Sequence, residues 1–173
     1  MSKLYKTIGL IGYGSLAKKV EKLALAFDMR VLVAERKNSI EIRAGRTEFD
    51  QLLKQVDVLS IHCPLTEHTE NLISAREFNL LKPTALLINT ARGGVVNETE
   101  LLSALMEKRL AAAATDVLCQ EPPAGDYPLI EQQPDNLIIT PHIAWASVQA
   151  RTRLLAQLVE HVRYYLICSS SGR

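Results

Sequence analysis

Four groups of polar residues in this sequence contain side chains that can exchange a proton or hold an anion. They are His62 to Thr66, Asn89 to Gly94, Asp116 with Glu121, and Pro141 with His142. Histidine can exchange a proton near neutral pH, and the arginine inside the second group offers a planar, two-pronged donor that matches a carboxylate. Each group alone also has an ordinary explanation as a structural histidine or a solvated surface charge.

Each of these groups lies at the end of a run of residues that predicts a β-strand. These runs are Asp57 to Cys63, Ala85 to Thr90, Ala112 to Val117 and Leu137 to Thr140. Strands alternate with helical patterns throughout the chain, which predicts an α/β fold with a doubly wound parallel sheet, the Rossmann fold. Ligands bind beyond the carboxyl ends of the strands in such a sheet. We therefore expect the four groups to meet at one edge of the sheet and form one site.

The first predicted strand, from Ile8 to Ile11, leads into a glycine-rich turn that is typical of dinucleotide-binding folds. Gly12 permits the sharp turn, Gly14 leaves room for a pyrophosphate, and the small Ala17 lets the next helix pack closely on the strand. The N–H groups at the start of that helix attract phosphate. The turn and the helix start together supply the cofactor-binding candidates Gly12, Gly14, Ser15 and Leu16. A glycine turn in some other βαβ unit is the alternative.

An acidic residue ends the second apolar run, Val31 to Ala34. Glu35 lies about 20 residues beyond the glycines, where the ribose hydroxyls of NAD are bound in folds of this kind. Its negative charge predicts that NAD(H) is preferred to NADP(H). Arg36 and Lys37 follow directly, and either could turn towards a 2′-phosphate and weaken that preference.

The spacing of the remaining residues predicts the other elements and the extent of the domain. Ser74 with Glu77, and Asn97 with Glu100, have the spacing of capping boxes at helix starts. The segment Ile40 to Arg43 predicts a short strand. A last helix is predicted from about residue 148 to 166, so we expect a single domain over residues 1–166, followed by a disordered tail over residues 167–173.

The composition argues against several classes of function. The chain has 20 Lys and Arg against 19 Asp and Glu, a net charge of +1, so no overall basic charge attracts nucleic acid. No apolar run reaches the roughly 18 residues of a membrane span. The three cysteines are widely spaced and form no C-x-x-C pair, which predicts a reducing, cytoplasmic setting. We expect no metal site, nucleic-acid partner or membrane partner.

Five motifs together resemble those of the NAD-binding domain of the D-isomer-specific 2-hydroxyacid dehydrogenases, and the resemblance covers nearly the whole chain. They are Gly12 to Ala17, His62 to Thr66, Leu87 to Gly94, Asp116-Val117 with Gln120 to Pro122, and Thr140 to Ser147. The resemblance implies NAD as cofactor and a small 2-oxo or 2-hydroxy acid as substrate. Within the family, the sequence looks most like a glycerate dehydrogenase, also called hydroxypyruvate reductase.

The same resemblance implies roles for the site residues. Arg92 is expected to bind the substrate carboxylate, His142 to act as the acid and base, and Glu121 to pair with that histidine. Asp116 is expected to lie by the nicotinamide carboxamide. The further cofactor contacts implied by the resemblance are Cys63, Pro64, Thr69, Thr90 and Ala91, together with Arg92 and His142.

Complete members of this family also have a substrate-binding domain built from segments on both sides of the nucleotide domain. We expect that domain to be absent from this chain, so the chain alone should turn over substrate feebly. Two functions stay open: half of a hydride-transfer enzyme, or a non-catalytic NAD-binding or dimerisation module, as in co-regulator-like proteins. The joint presence of Arg92, Glu121 and His142 favours the enzyme. Since complete members resemble one another in pairing through this domain, a homodimer is expected.

Overall fold

The computed structural model describes residues 6–170 and divides the chain into two compact units. One unit reaches to Pro141 and the other begins at His142. The sequence led us to expect one domain over residues 1–166. Within the described residues, the buried hydrophobic clusters draw all their members from the first unit, so that unit holds the core.

The first unit contains a six-stranded parallel sheet. Its strands are β1 (Thr7–Ile11), β2 (Arg30–Val33), β3 (Val58–Ile61), β4 (Leu86–Asn89), β5 (Ala112–Thr115) and β6 (Leu137–Ile139). Their order is β2-β1-β3-β4-β5-β6, and every neighbouring pair is parallel. The chain runs from β1 to one side and then returns to the other side of β1 at β3, which creates a switch point beyond the ends of these two strands. The predicted doubly wound α/β fold is confirmed.

Helices cover both faces of this sheet. They are α1 (Ser15–Ala26), α2 (Phe49–Gln55), α3 (Ala75–Leu80), α4 (Glu98–Met106) and α5 (Pro128–Gln132), and α6 (Val148–Ser170) belongs to the second unit. Both predicted helix starts are present: Ser74 and Glu77 form a capping box, and Asn97 accepts a hydrogen bond from the N–H of Glu100 at 3.0 Å. These caps satisfy N–H groups that a helix start otherwise leaves without partners.

Two separate apolar layers fix the helices to the sheet. On one face, Ile8, Leu10 and Ala17 belong to a cluster that packs α1 on β1, and Ala17 is completely buried. On the other face, a larger cluster includes Phe49 of α2 and Phe78 of α3. Burial of these side chains on both faces explains why the central strands are continuous apolar runs.

Three segments differ from the elements that the sequence predicts. The segment Ile40 to Arg43 is not a strand: Ile40 is fully exposed, and the parallel bridge next to β2 is made instead by Thr47 with Ala34. A strand needs a partner and a buried face, and this segment has neither among the described residues. The loop after β5 contains α5, with Pro128 at its start. The last helix continues to Ser170, beyond the expected end at residue 166, and residues 171–173 lie outside the described residues.

Candidate functional site

Gly12 turns the chain at the end of β1, and the structure requires a glycine there for two reasons. Its φ of +82° lies in the region that side chains disfavour. A Cβ on Gly12 would also lie 2.6 Å from the backbone nitrogen of Cys63, so the absence of a side chain lets this turn contact the end of β3. The N–H of His62 donates to the carbonyl of Ile11 at 2.7 Å and joins the two strand ends.

The start of α1 forms an open cradle next to this turn. Gly14 is the N-cap residue, and a Cβ built on it meets no atom within 4 Å. Ser15 and Leu16 are exposed at the first positions of the helix, where N–H groups have no partner within the helix. Exposed N–H groups, the positive end of the helix dipole and the open space over Gly14 fit a pyrophosphate. These residues therefore fit the phosphates of NAD.

Glu35 follows β2 directly, and its side chain is buried in an ion pair. Its carboxylate accepts hydrogen bonds from the N–H of Arg36 at 2.8 Å and from the N–H of Arg43 at 3.2 Å. The guanidinium of Arg43 adds two more hydrogen bonds, at 2.7 and 2.5 Å. The hydrogen bonds from Arg43 and Arg36 lower the pKa of Glu35 to about 2, so the carboxylate is ionised at neutral pH. Arg43 was not among the predicted site residues, because nothing in its spacing links it to Glu35.

The loop after β3 is held by its own side chains. Thr69 donates its hydroxyl to the carbonyl of Pro64 at 2.6 Å and accepts a hydrogen bond from the N–H of Thr66 at 2.8 Å. Cys63 is buried, and burial raises the pKa of its thiol. Burial likewise lowers the pKa of His62, whose Nε2 lies 2.9 Å from the hydroxyl of Ser60. This loop is therefore held in one conformation next to Gly12.

Arg92 lies in a tight turn after β4, and a buried amide shapes that turn. Asn89 donates through Nδ2 to the carbonyl of Arg92 at 2.9 Å and accepts from the N–H of Ala91 at 3.0 Å. Arg92 and Thr90 are exposed, and Nη1 of Arg92 donates to the carbonyl of Ala91 at 2.6 Å. Asn89 was not among the predicted site residues, although its place directly after a strand in the same motif was a usable signal.

Asp116 joins the ends of three neighbouring strands. Its N–H donates to the carbonyl of Asn89 at 2.9 Å, across from β4 to β5. Its buried carboxylate accepts a hydrogen bond from the hydroxyl of Thr140 at 2.5 Å, just after β6. The position of Asp116 is therefore fixed from both sides.

Glu121 lies in the loop after β5, and this loop packs against the turn that carries Arg92. A Cβ on Gly93 would lie 2.1 Å from the carbonyl carbon of Leu118, so the two backbones touch. The carboxylate of Glu121 accepts a hydrogen bond from the N–H of Leu118 at 2.8 Å. Within the first unit, the structure thus brings the segments of Arg92, Asp116 and Glu121 to the carboxyl edge of the sheet.

Helix α4 anchors the same loop through Glu98. Its carboxylate accepts hydrogen bonds from the N–H of Cys119 at 2.8 Å and from the hydroxyl of Tyr127. Burial and the neighbouring Glu98 raise the pKa of Cys119 to about 11, so this thiol is protonated at neutral pH. Glu98 and Tyr127 are two supporting residues that no motif in the sequence indicated.

His142 opens the second unit. It is half-buried and has a φ of +53°, an uncommon conformation for a residue with a side chain. Its carbonyl accepts a hydrogen bond from the indole N–H of Trp145 at 2.8 Å, which closes the turn that follows it. The turn of His142 is therefore fixed locally, within its own unit.

Metal sites and membrane-spanning helices are both absent among residues 6–170. Over residues 6–170, no group of three or more His, Cys, Asp and Glu side chains has the arrangement of a metal site. None of the helices in that range has the length and apolar character needed to cross a bilayer.

Comparison with known proteins places these features in a family. The sequence profile of the D-isomer specific 2-hydroxyacid dehydrogenase, NAD binding domain, matches residues 3–144. The glycerate dehydrogenase of Methylorubrum extorquens is 42% identical over 160 residues, which cover 92% of this chain and 50% of that protein. The chain thus spans about half the length of the curated relatives that it matches.

Two solved structures resemble this one. An acyclic imino acid reductase in complex with NADPH and D-Arg has a TM-score of 0.82 and 34% identity, over 96% of this chain and 53% of that one. The D-lactate dehydrogenase of Aquifex aeolicus, complexed with NAD and lactic acid, has a TM-score of 0.79 and 31% identity, over 93% of this chain and 53% of that one.

Proposed function

Because this chain belongs to the D-isomer-specific 2-hydroxyacid dehydrogenases and is an NAD-binding domain of that family, we propose that it is the cofactor-binding half of an oxidoreductase for small 2-oxo acids. Hydroxypyruvate and glycerate are the proposed substrate pair, supported by the similarity to a glycerate dehydrogenase. The observation that carries the proposal is the exposed Arg92, held by Asn89 at the sheet edge that also carries the open glycine cradle.

The cofactor, when bound in its reduced form NADH, supplies the hydride, and the protein contributes position and charge. The cradle of Gly12, Gly14, Ser15 and Leu16 would hold its pyrophosphate, and Glu35 would lie at the adenosine ribose. Asp116 would lie by the nicotinamide carboxamide. The remaining proposed cofactor contacts are Cys63, Pro64, Thr69, Thr90, Ala91, Arg92 and His142. Their support is that, apart from His142, all follow strands of the first unit at their carboxyl ends.

Arg92 is the proposed clamp for the substrate carboxylate. Its guanidinium presents two parallel N–H donors, which fix both the distance and the plane of a bound carboxylate. Since Asn89 binds both the N–H of Ala91 and the carbonyl of Arg92, the backbone under this guanidinium has one conformation. A clamp on a fixed turn holds the keto group of the substrate in one orientation towards the nicotinamide.

His142 is the proposed proton donor during reduction and the proton acceptor during oxidation. Its imidazole would give a proton to the oxygen of the keto group while hydride reaches the carbon. Glu121 is proposed as its partner, because a carboxylate against one ring nitrogen favours the protonated ring and fixes its orientation. The carboxylate of Glu121 is itself held by the N–H of Leu118.

A second candidate function is a non-catalytic NAD-binding or association module. The observation that favours it is the second unit, in which residues 151–168 are all exposed although the helix carries many apolar side chains. Such a surface suits a protein partner.

For both candidate functions, we propose that the chain forms a homodimer. A reducing compartment such as the cytoplasm is proposed as well, since Cys119 and Cys168 are exposed free thiols.

The deciding experiment measures the oxidation of NADH by hydroxypyruvate. We would place this chain in a chimera, in which it replaces the matching half of the Methylorubrum extorquens glycerate dehydrogenase, and compare hydroxypyruvate, glyoxylate and pyruvate. The proposal expects the highest kcat/KM with hydroxypyruvate, and loss of that activity when Arg92 is replaced. A folded chimera that binds NADH but reduces none of these acids would favour the non-catalytic module.

A further inference from the structure

Glu35 has no unused acceptor position in this structure. A carboxylate offers about four lone-pair sites. Oε1 of Glu35 accepts from the N–H of Arg36 and from Nη2 of Arg43, and Oε2 accepts from the N–H and Nε of Arg43. A ribose diol would therefore have to compete with donors of the protein itself.

The accessible part of this ion pair is its cation. The side chain of Glu35 is 2% exposed, whereas that of Arg43 is 57% exposed. Arg43 uses Nε and Nη2 to bind Glu35, and within residues 6–170 its Nη1 donors carry no hydrogen bond. A ligand that arrives at the end of β2 thus meets a guanidinium with free donors, and the negative charge behind it is neutralised.

A second arginine of the same segment lies beside this pair. Nη1 of Arg46 donates to the carbonyl of Ala34 at 3.2 Å, and its guanidinium carbon lies 4.8 Å from the ring centroid of Tyr13, inside the glycine turn. The ammonium of Lys18 lies 5.6 Å from the same ring. One acid also faces this ring, since the hydroxyl of Tyr13 donates to Glu21. The side of the cofactor site between β2 and the glycine turn therefore carries more cations than acids.

The two cations that follow Glu35 in the sequence are placed differently. Lys37 binds the buried Glu77 at 2.9 Å and is occupied there. Arg36 contacts Glu35 through its backbone N–H, and its side chain is exposed. Arg43 is therefore the arginine whose guanidinium is bound to the acid at the end of β2.

We propose that Arg43 makes this subsite accept a ribose 2′-phosphate, so that the chain binds NADP(H) as well as NAD(H). The guanidinium would donate to the phosphate through its free N–H groups, and its charge would offset the repulsion from Glu35. This inference rests on the proposed placement of the adenosine ribose at the end of β2. It revises the expectation, drawn from Glu35 alone, that a 2′-phosphate is repelled.

The test titrates the 173-residue chain with NADH and NADPH by calorimetry and compares the two dissociation constants. The wild-type chain should discriminate between them by no more than about 10-fold, since the acid is neutralised. Arg43→Gln should weaken NADPH binding relative to NADH by a further factor of about 10 or more, because it removes the donor and uncovers Glu35. Circular dichroism checks that the variant is folded.

Arg36→Gln is the matched control, since it removes a neighbouring exposed arginine of the same segment. It should leave the ratio of the two constants unchanged, and an effect as large as that of Arg43→Gln would overturn the assignment to Arg43. If Arg43→Gln does not fold, the ratio of the NADPH and NADH dissociation constants of the wild-type chain alone decides whether the inference stands. If the wild-type chain binds NADH tightly but binds NADPH more than about 10-fold more weakly, this inference is overturned and the proposed function is not. Failure of both nucleotides to bind overturns the proposed function as well.

Discussion

At the scale of single residues, two of the charged groups at the sheet edge, Arg92 and Asp116, are positioned by uncharged neighbours. Asn89 spans the turn after β4 with one amide, because its oxygen and its nitrogen each bind a backbone group of that turn. Thr140 holds Asp116 with a single hydroxyl. A buried amide or hydroxyl can bind the backbone without the cost of burying another charge. The exposed guanidinium of Arg92 is thereby presented on a rigid base.

Arg92→Lys in the chimera tests the substrate clamp. Lysine keeps the charge but loses the two-pronged geometry, so we expect KM for hydroxypyruvate to rise by about 10-fold or more and kcat to fall as well. NADH affinity measured by titration should change much less than KM, because Arg92 is only one of many proposed cofactor contacts. The matched control is Arg30→Lys, at the exposed start of β2, which should leave both constants unchanged. An equal KM in the Arg92 variant and the parent would contradict the clamp.

His142→Ala tests the proton donor. Without the imidazole, kcat for hydroxypyruvate reduction should fall by roughly 10²–10⁴-fold, the usual contribution of a general acid. The dissociation constant of NADH should change far less than kcat, because the ring is one of many proposed cofactor contacts but the only proposed proton donor. His161→Ala, an exposed histidine of α6, is the control. If His142→Ala kept kcat within a factor of about three of the parent, the acid and base role would be withdrawn.

At the scale of elements, a buried carboxylate connects three parts of the first unit. Glu77 caps α3 through the N–H of Ser74, binds Lys37 in the segment after β2, and binds Arg76, which also pairs with Asp50 of α2. Burial raises the pKa of Glu77, but the hydrogen bonds from Lys37 and Arg76 outweigh it and leave the pKa lowered. The carboxylate is ionised and holds the segment after β2 against α3.

Glu77→Gln should lower the free energy of unfolding by about 1–3 kcal/mol at pH 7, because it leaves Lys37 without its partner. A lowered pKa means that the wild-type contribution is present above the pKa of an unfolded glutamate and is lost as the pH falls below it. The difference in stability between the two proteins should therefore shrink as the pH is lowered from 7 through the pKa of an unfolded glutamate, about 4.3, and below it. Urea unfolding across this range measures the effect, with the exposed Glu67→Gln as control. A constant difference at every pH would contradict this assignment.

The elements show which features could be predicted from the sequence. Strands β1 and β3 are buried on both faces, so their apolar runs and the polar residues after them were visible in the sequence. The edge of the sheet next to β2 could not be predicted from the sequence. Ile40 and Ile42 alternate with polar residues, as in a strand, yet both are exposed, and it is Thr47 that forms the β-bridge to Ala34. Alternation predicts a strand only where one face has a core to cover.

In the candidate site, too, some features could be predicted from the sequence and others could not. The strand-end positions of Arg92, Asp116 and Glu121 follow from topology, since every parallel strand ends at the same edge. The pairing of Arg43 with Glu35 does not follow from topology, because it depends on how the irregular segment that contains Arg43 folds back onto the end of β2. Contacts made by irregular segments leave no periodic signal in the sequence.

At the scale of the whole molecule, the second unit presents a long helix with an uncovered apolar stripe. Leu155, Leu158 and Val162 follow helical spacing on one side of α6, and all three are exposed. An apolar stripe of this kind is stabilised when another surface removes it from water.

The last prediction is that the chain forms a homodimer that uses this stripe. Light scattering at micromolar concentration should give twice the monomer mass, and Leu158→Glu should shift the protein to monomer, because a charge in the interface is costly to bury. Gln149→Glu is the matched control: it adds the same charge about two and a half turns away, on the opposite side of α6, and should remain dimeric. A wild-type chain that is monomeric at these concentrations contradicts the dimer. A wild-type dimer that both variants retain assigns the interface to another surface.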